Sequence, residues 1–294
     1  MNLGIFADGI WGLNFLKKIK RNKKFSIKYV CGRKKIDKNI KKYSLQNRIP
    51  FFTFNNINSS FAFKKINTFS TDLLVSMSYD QIFNDKIINI NKYPPINCHA
   101  GMLPKYRGRN VINWAIIYGE KELGITVHQI NNKIDKGNII SQKKIKILEN
   151  DNYKTILSKC HKECPNLLIS SLIKIYNNSK FKTTPQRNFG KGFYCKKRIK
   201  GDEIINLNNK TKYLNNFIRG ITYPGPNAQY KNGKYKIYFI KSRILNKQKI
   251  HSNFQVGEII NFKKRYFDVK VKDGAIRILK WKTKIKLHQG LILK

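Results

Sequence analysis

At 294 residues with 41% hydrophobic and 12% aromatic side chains, the chain has material for a large core, which excludes a disordered tail and a disulfide-stapled mini-domain. Sixty Lys and Arg against 16 Asp and Glu give a formal charge of +44, which alone would point to nucleic acid or another polyanion. The excess is mostly lysine, spread along the whole chain and accompanied by Asn, Ile, Tyr and Phe, the residues of AT-rich codons. Base composition therefore accounts for it without any selected surface, and the charge discriminates poorly between partners.

Residues 2–7 read as a short buried strand, followed by Asp8-Gly9 and an apolar-periodic helix from Ile10 to Leu16. Phe25 to Cys31 alternates like a second strand, and Lys34 to Asn47 reads as a basic, exposed helix or loop. Leu73 to Ser76 and Ile96 to His99 are compact strands, and Val111 to Tyr118 is a helix with a continuous apolar face. Strands alternating with helices in this way predict an α/β fold, a mostly parallel sheet covered on both sides.

Gly124 to His128 and Ile139 to Ile147 look like two further strands joined by a polar loop, 131–137. Tyr153 to Tyr176 reads as a long amphipathic helix that Pro165 should kink or divide. The polar, glycine-containing stretch 181–192 reads as a linker, and beyond it come a helix around Tyr213–Arg219 and several alternating strands. The expected organisation is a catalytic domain over 1–182, a linker over 183–200 and a small β-rich domain over 201–294.

Five cysteines at irregular spacing fit a reducing compartment better than a disulfide framework. Cys160-His161-x-x-Cys164 lacks the second ligand pair of a zinc site and reads as helix packing, so no metal is expected. With no apolar run of 18 residues and no signal peptide, the expectation is a cytoplasmic protein with no membrane partner.

The chemistry concentrates between Asn97 and Asn110 (NCHAGMLPKYRGRN). Residues i and i+2 of a strand share a face, so Asn97 and His99 point the same way from a strand end, where ligands of open α/β sheets bind. An amide beside an imidazole suits acyl transfer to an amine: the imidazole takes a proton and the amide N–H steadies the oxyanion. Asp135 is the candidate to orient the imidazole, from a short loop in which Gly137 allows a sharp turn. The spacing alone equally describes a hydrogen-bonded core or turn pair.

The run Asn97-x-His99-x-Gly101-x-Leu103-Pro104-x-Tyr106-Arg107-Gly108, followed by Trp114-Ala115-Ile116, Gly119-Glu120, Gly124-Ile125-Thr126-x-His128 and Asp135-x-Gly137-x-Ile139-Ile140-x-Gln142, resembles the formyltransferases that use 10-formyltetrahydrofolate. The resemblance is close over roughly residues 70–148. It weakens toward the N-terminal strand-turn-helix and toward Tyr194-x-x-x-Arg198, Ile218-Arg219, Tyr223-Pro224-Gly225 and Gly257-Glu258-Ile259. It implies a Rossmann-like formyltransferase domain with Asn97, His99 and Asp135 at the catalytic positions, and a donor site at Ser78, Tyr79, Ile82, Leu103, Pro104 and Ile134. His128 also matches and reads as a satisfied strand residue.

Family enzymes acting on methionyl-tRNA typically have serine where this chain has Gly101, whereas those acting on nucleotide-linked amino sugars resemble it through Ala100, Gly101, Arg109 and Asn110. The resemblance thus implies a dTDP-linked amino-dideoxy sugar, destined for a surface polysaccharide, as acceptor. Lys105, Tyr106, Arg107, Gly108, Arg109 and Asn110 are its expected binding loop, with Arg107 and Arg109 placed to meet the diphosphate or to pin the loop. Met102 departs from the lysine frequent in the sugar enzymes. Methionyl-tRNA is the alternative acceptor, and a homodimer through the tail is implied by family likeness alone.

Overall fold

The computed structural model describes residues 1–178, 180–233, 235–245 and 253–293. Strand β1 (Asn2–Ala7), helix α1 (Gly9–Ile19), β2 (Ser26–Gly32), α2 (Lys38–Gln46), β3 (Phe51–Thr53), α3 (Ser60–Asn67) and β4 (Leu73–Met77) alternate along the chain. There follow α4 (Asp85–Ile88), β5 (Ile96–His99), β6 (Arg107–Gly108), α5 (Val111–Ile117), β7 (Glu122–Gln129), β8 (Ile139–Lys146) and α6 (Tyr153–Asn177). The remainder comprises a 3-10 turn (Gln186–Phe189), β9 (Tyr194–Cys195), α7 (Thr211–Ile221), β10 (Ala228–Asn232), β11 (Tyr235–Ile244), β12 (Ile259–Lys263), β13 (Tyr266–Val271) and β14 (Gly274–Thr283).

Seven strands form the main sheet in the order β3-β2-β1-β4-β5-β7-β8. The pairs from β3 to β5 are parallel, and β5 pairs with β7 antiparallel. Every residue of β4 is buried, as a parallel strand covered on both faces requires. On one flank Phe6, Tyr29, Phe54, Leu74 and Phe83 form a core cluster with Ile57, Ile66 and Ile87. Five other strands form an antiparallel sheet, β10-β11-β14-β13-β12, over a core that includes Leu214, Ile218, Phe239, Phe267 and Ile276. The α/β domain and the β-rich tail are therefore both present.

One open alternative is resolved and one expectation is revised. Basic α2 is a helix because Asp37 caps it, its carboxylate accepting from the Asn39 and Ile40 amides at 2.8 and 3.1 Å. Pro165 does not divide α6, which runs unbroken from Tyr153 to Asn177. Proline removes the N–H that would bond the carbonyl four residues earlier, and here that carbonyl, on His161, accepts instead from Asn14 Nδ2 of α1 at 3.1 Å.

The compact units do not follow the expected boundaries. One comprises Met1–Gly108, Leu123–Ile145 and Ser158–Cys195; the other comprises Arg109–Glu122, Lys146–Leu157 and Lys196–Lys294. Helix α5 belongs with the tail because it packs on α7, where Asn113 Nδ2 donates to the Gly220 carbonyl at 2.8 Å. The stretch expected as a linker belongs largely to the first unit: Ile139 and Thr184 exchange two backbone hydrogen bonds of 2.8 Å, and β9 pairs with β6.

Candidate active site

Asn97 and His99 lie on β5 with their side chains on one face, as the two-residue period requires. The antiparallel register sets Asn97 opposite His128 and His99 opposite Thr126. Asn97 Nδ2 is 3.2 Å from His128 Nε2, and His128 Nδ1 is 2.7 Å from the Gln129 carbonyl. A carbonyl accepts only, so Nδ1 carries a proton there, and Nε2 is left between the Asn97 amide and the Asp135 carboxylate. Asn97 and Asp135 thus share one ring nitrogen of His128.

Asp135 reaches this pair from the loop between β7 and β8. Its Oδ2 is 3.6 Å from His99 Nδ1 and its Oδ1 is 3.5 Å from His128 Nε2. The Gly108 amide donates to Oδ2 at 2.9 Å. Burial alone would raise the Asp135 pKa, but the imidazoles of His99 and His128 and the Gly108 N–H outweigh it and hold the carboxyl well below the usual carboxylate range. His99 Nε2 lies 2.7 Å from the Tyr106 carbonyl, so both ring nitrogens of His99 face acceptors. An imidazolium satisfies both and a neutral ring only one, which suits a group that ends a step holding a proton.

The local backbone explains two glycines. A Cβ at Gly101 would lie 2.4 Å from the Tyr106 carbonyl oxygen and 2.5 Å from His99 Nε2, so the ring and its carbonyl partner leave no room for a side chain. A Cβ at Gly137 would lie 1.7 Å from the Gln129 carbonyl oxygen. The turn expected of Gly137 is made by Asp135 itself, at φ +50°, while Gly137 lets the loop pass close to β7.

The residues expected to hold the formyl donor are placed as follows. Tyr79 packs its ring on Phe6 and Phe83 at 5.1 and 5.9 Å between centroids, and its hydroxyl accepts from the Cys31 thiol at 3.9 Å. Burial pushes the Cys31 thiol up to about 12. The Ser78 carbonyl accepts from Arg33, itself paired with Asp8 at 3.4 Å. Leu103 and Pro104 are buried; the Leu103 carbonyl accepts from Gln142 at 2.8 Å and the Ile134 carbonyl from the Tyr194 hydroxyl at 3.0 Å. The Leu103 and Ile134 carbonyls each keep a second lone pair, and Ile82 and Ile134 stand about half exposed, at 51% and 50%, so these loops offer the polar backbone and apolar surface that a flat heterocycle needs.

In the expected acceptor loop, Lys105 and Arg109 are exposed and Tyr106 is buried against Phe193, with ring centroids 4.8 Å apart. Arg107 serves the loop: its Nε and Nη2 donate to Gln186 Oε1 at 3.0 and 2.6 Å. Asn110 accepts from the Arg198 amide at 2.9 Å. Lys105 to Gly108 fall in the first compact unit and Arg109 and Asn110 in the second. A cavity of about 1010 Å³ lies wholly within the second unit and includes none of the expected site residues. Cys160 and Cys164 are buried in α6, and no helix among the described residues is long and apolar enough to cross a membrane.

Sequence reasoning did not bring out two polar side chains of this centre. His128 was identified, but its place beside Asn97 and Asp135 follows from the β5–β7 register. Gln186 carried no signal, standing in a polar stretch without periodicity.

Two family models together match most of the chain. The model of the formyl transferase family matches residues 5–172, and that of the formyl transferase C-terminal domain matches residues 198–289. Over 239 residues the chain is 34% identical to the bifunctional polymyxin resistance protein ArnA of Wigglesworthia glossinidia brevipalpis, covering 81% of this chain and 35% of that one. It is also 34% identical over 248 residues to methionyl-tRNA formyltransferase of Azobacteroides pseudotrichonymphae genomovar. CFP2, covering 81% of this chain and 75% of that one. Among solved structures, WlaRD, a sugar 3N-formyl transferase crystallised in the presence of dTDP and 5-N-formyl-THF, superposes with a TM-score of 0.69 at 25% identity over 98% of this chain and 99% of that one. The formyl donor of such enzymes is 10-formyltetrahydrofolate. With both domain models matched in order along the chain, it belongs to the formyl transferase family and is an N-formyltransferase.

Proposed function

We propose that the chain transfers the formyl group of 10-formyltetrahydrofolate to the amino group of a nucleotide-linked, dTDP-type amino-dideoxy sugar. His99 takes the proton of the attacking amine, which replaces the Tyr106 carbonyl as the partner of Nε2. An amide N–H of Asn97 donates to the oxyanion of the tetrahedral intermediate, and Asp135 orients the His99 ring and balances its charge. As the intermediate collapses, the His99 imidazolium passes its proton to the folate nitrogen, which leaves as the amine and restores the neutral ring. Ser78, Tyr79, Ile82, Leu103, Pro104 and Ile134 would border the donor, and Lys105 and Tyr106 the acceptor.

The observation that carries the acceptor is the end-to-end match to a sugar 3N-formyl transferase, 98% of one chain on 99% of the other. The steric demand at Gly101 is independent of the acceptor, so that glycine lends the sugar reading less weight than the overall match does. A second reading, methionyl-tRNA as acceptor, is favoured by the 34% identity to a tRNA enzyme and by the charge of +44. A formyl-transfer assay with 10-formyltetrahydrofolate and a panel of dTDP-amino sugars beside methionyl-tRNA separates the two. We expect turnover of a sugar with shallow salt dependence. Turnover of the tRNA alone, weakening steeply as salt rises because neutralised phosphates release counterions, would overturn the sugar assignment.

A further inference from the structure

Gln186 lies between the two family-model matches, in the stretch that reads as a linker, yet it is 5% exposed and all four of its side-chain hydrogen-bonding capacities are used. Its Nε2 donates to the Asp135 carbonyl and to the Gly137 carbonyl, each at 2.8 Å. Its Oε1 accepts from Arg107 Nε and Nη2 at 3.0 and 2.6 Å. The residue after Arg107 is Gly108, whose amide donates to the Asp135 carboxylate at 2.9 Å. One amide group therefore grips the backbone on which Asp135 stands and, through Arg107, the strand end that hydrogen-bonds its carboxylate.

We infer that Gln186 is a positioning residue for formyl transfer, acting through Asp135 on His99; the inference rests on the assignment of Asp135 as the group that orients that ring. No other uncharged side chain of this length supplies two donors and an acceptor, so each substitution breaks a definite part of the grip. Gln186→Leu removes both halves. Gln186→Glu keeps an acceptor for Arg107 and removes the donors to the Asp135 loop. If the donors matter most, both variants lose turnover, because a displacement of about 1 Å at a catalytic group can cost roughly a hundredfold.

The test measures kcat and KM for 10-formyltetrahydrofolate and for the panel acceptor that the native chain turns over fastest, with a thermal melt of each variant. The variants are Gln186→Leu, Gln186→Glu, Asp135→Asn and the double variant Asp135→Asn/Gln186→Leu, all in the full chain. We expect either Gln186 variant to lower kcat by roughly ten- to a hundredfold with little change in either KM. Asp135→Asn should lower it by about a hundredfold or more. In that background Gln186→Leu should cost almost nothing further, which a merely structural role would not produce; the charge-changing Gln186→Glu stands in should the leucine variant fail to fold. Unchanged kcat in a folded Gln186 variant, or an equal loss in both backgrounds, overturns the inference while Asp135 keeps its role. Native turnover by Asp135→Asn alone would instead remove the assignment beneath it.

Discussion

Asn97 stands directly across the β5–β7 strand pair from His128, its amide nitrogen 3.2 Å from the ring nitrogen that also faces Asp135. The amide proposed to stabilise the oxyanion is thus held in place by a histidine on the next strand. Removing the amide altogether by Asn97→Ala should lower kcat by roughly a hundredfold or more, the scale for one lost oxyanion donor. The melting temperature should stay close to native, and steady-state kinetics beside a melt checks both.

His128 should matter without touching either substrate. His128→Phe keeps an aromatic ring and removes its three polar contacts, to Asn97, to Asp135 and to the Gln129 carbonyl. We expect kcat to fall by about tenfold or more through loss of orientation, with KM for the donor nearly unchanged. A KM effect with native kcat would place His128 in binding instead.

Gly101→Ser introduces the residue typical of the tRNA-type enzymes, at a position where a Cβ would meet the Tyr106 carbonyl oxygen at 2.4 Å and His99 Nε2 at 2.5 Å. Something must shift, at a cost of about 1–3 kcal/mol for overpacking. We expect a lower melting temperature and a loss of kcat on every acceptor, with no gain of activity on methionyl-tRNA. Activity gained on the tRNA would show that position 101 selects the acceptor after all.

The depressed Asp135 pKa fixes the sign of one pH effect. The carboxyl binds its proton more weakly folded than in the unfolded chain, where it titrates near 3.9. Its stabilisation is therefore complete above that value and disappears as pH falls through the lower folded value. Asp135→Asn is the suitable reference, since asparagine tolerates the left-handed φ of +50° found there. The native chain should melt above the variant at neutral pH, and the gap should close below about pH 4. A gap that widens on acidification would contradict the charge arrangement described here.

Asn14→Ala should destabilise the chain by about 1 kcal/mol, because it withdraws the donor that the His161 carbonyl receives in place of the N–H missing at Pro165. Calorimetry should show the loss, and Asn14→Asp, which offers no amide donor, should reproduce it.

Much of this centre was legible in the residues because a strand's period is short and strict. Asn97 and His99, two apart before a polar loop, could only share a face, and Asp135 stood in the short loop between two apolar strands. Element positions followed burial, as in β1, β4 and β5, whereas β3 and α3 were missed: β3 has only three residues, and α3 has a short apolar stripe among polar neighbours. What the sequence hid were relationships set by pairing across the chain. The position of His128 depends on the antiparallel register of β7, and the continuity of α6 past Pro165 depends on Asn14, 147 positions from His161. Gln186 was hidden most completely, since a lone glutamine among Thr, Pro and Arg looks like solvent-facing chain. Two readings stood open for Arg107, meeting a diphosphate or pinning the loop, and its hydrogen bonds to Gln186 supply the second.

The weave of residues 183–195 through the first unit decides where this polypeptide can be cut or grafted. Thr184 is bonded to Ile139, Phe193 to Arg107 and the Tyr194 hydroxyl to Ile134, while Cys195 pairs with Gly108. A fragment ending at residue 172, where the first family match stops, would leave those partners on the cut side and release the Asp135 loop. Chimaeras that exchange tails between relatives should accordingly place their junction after Cys195, so that each catalytic half carries its own fastening.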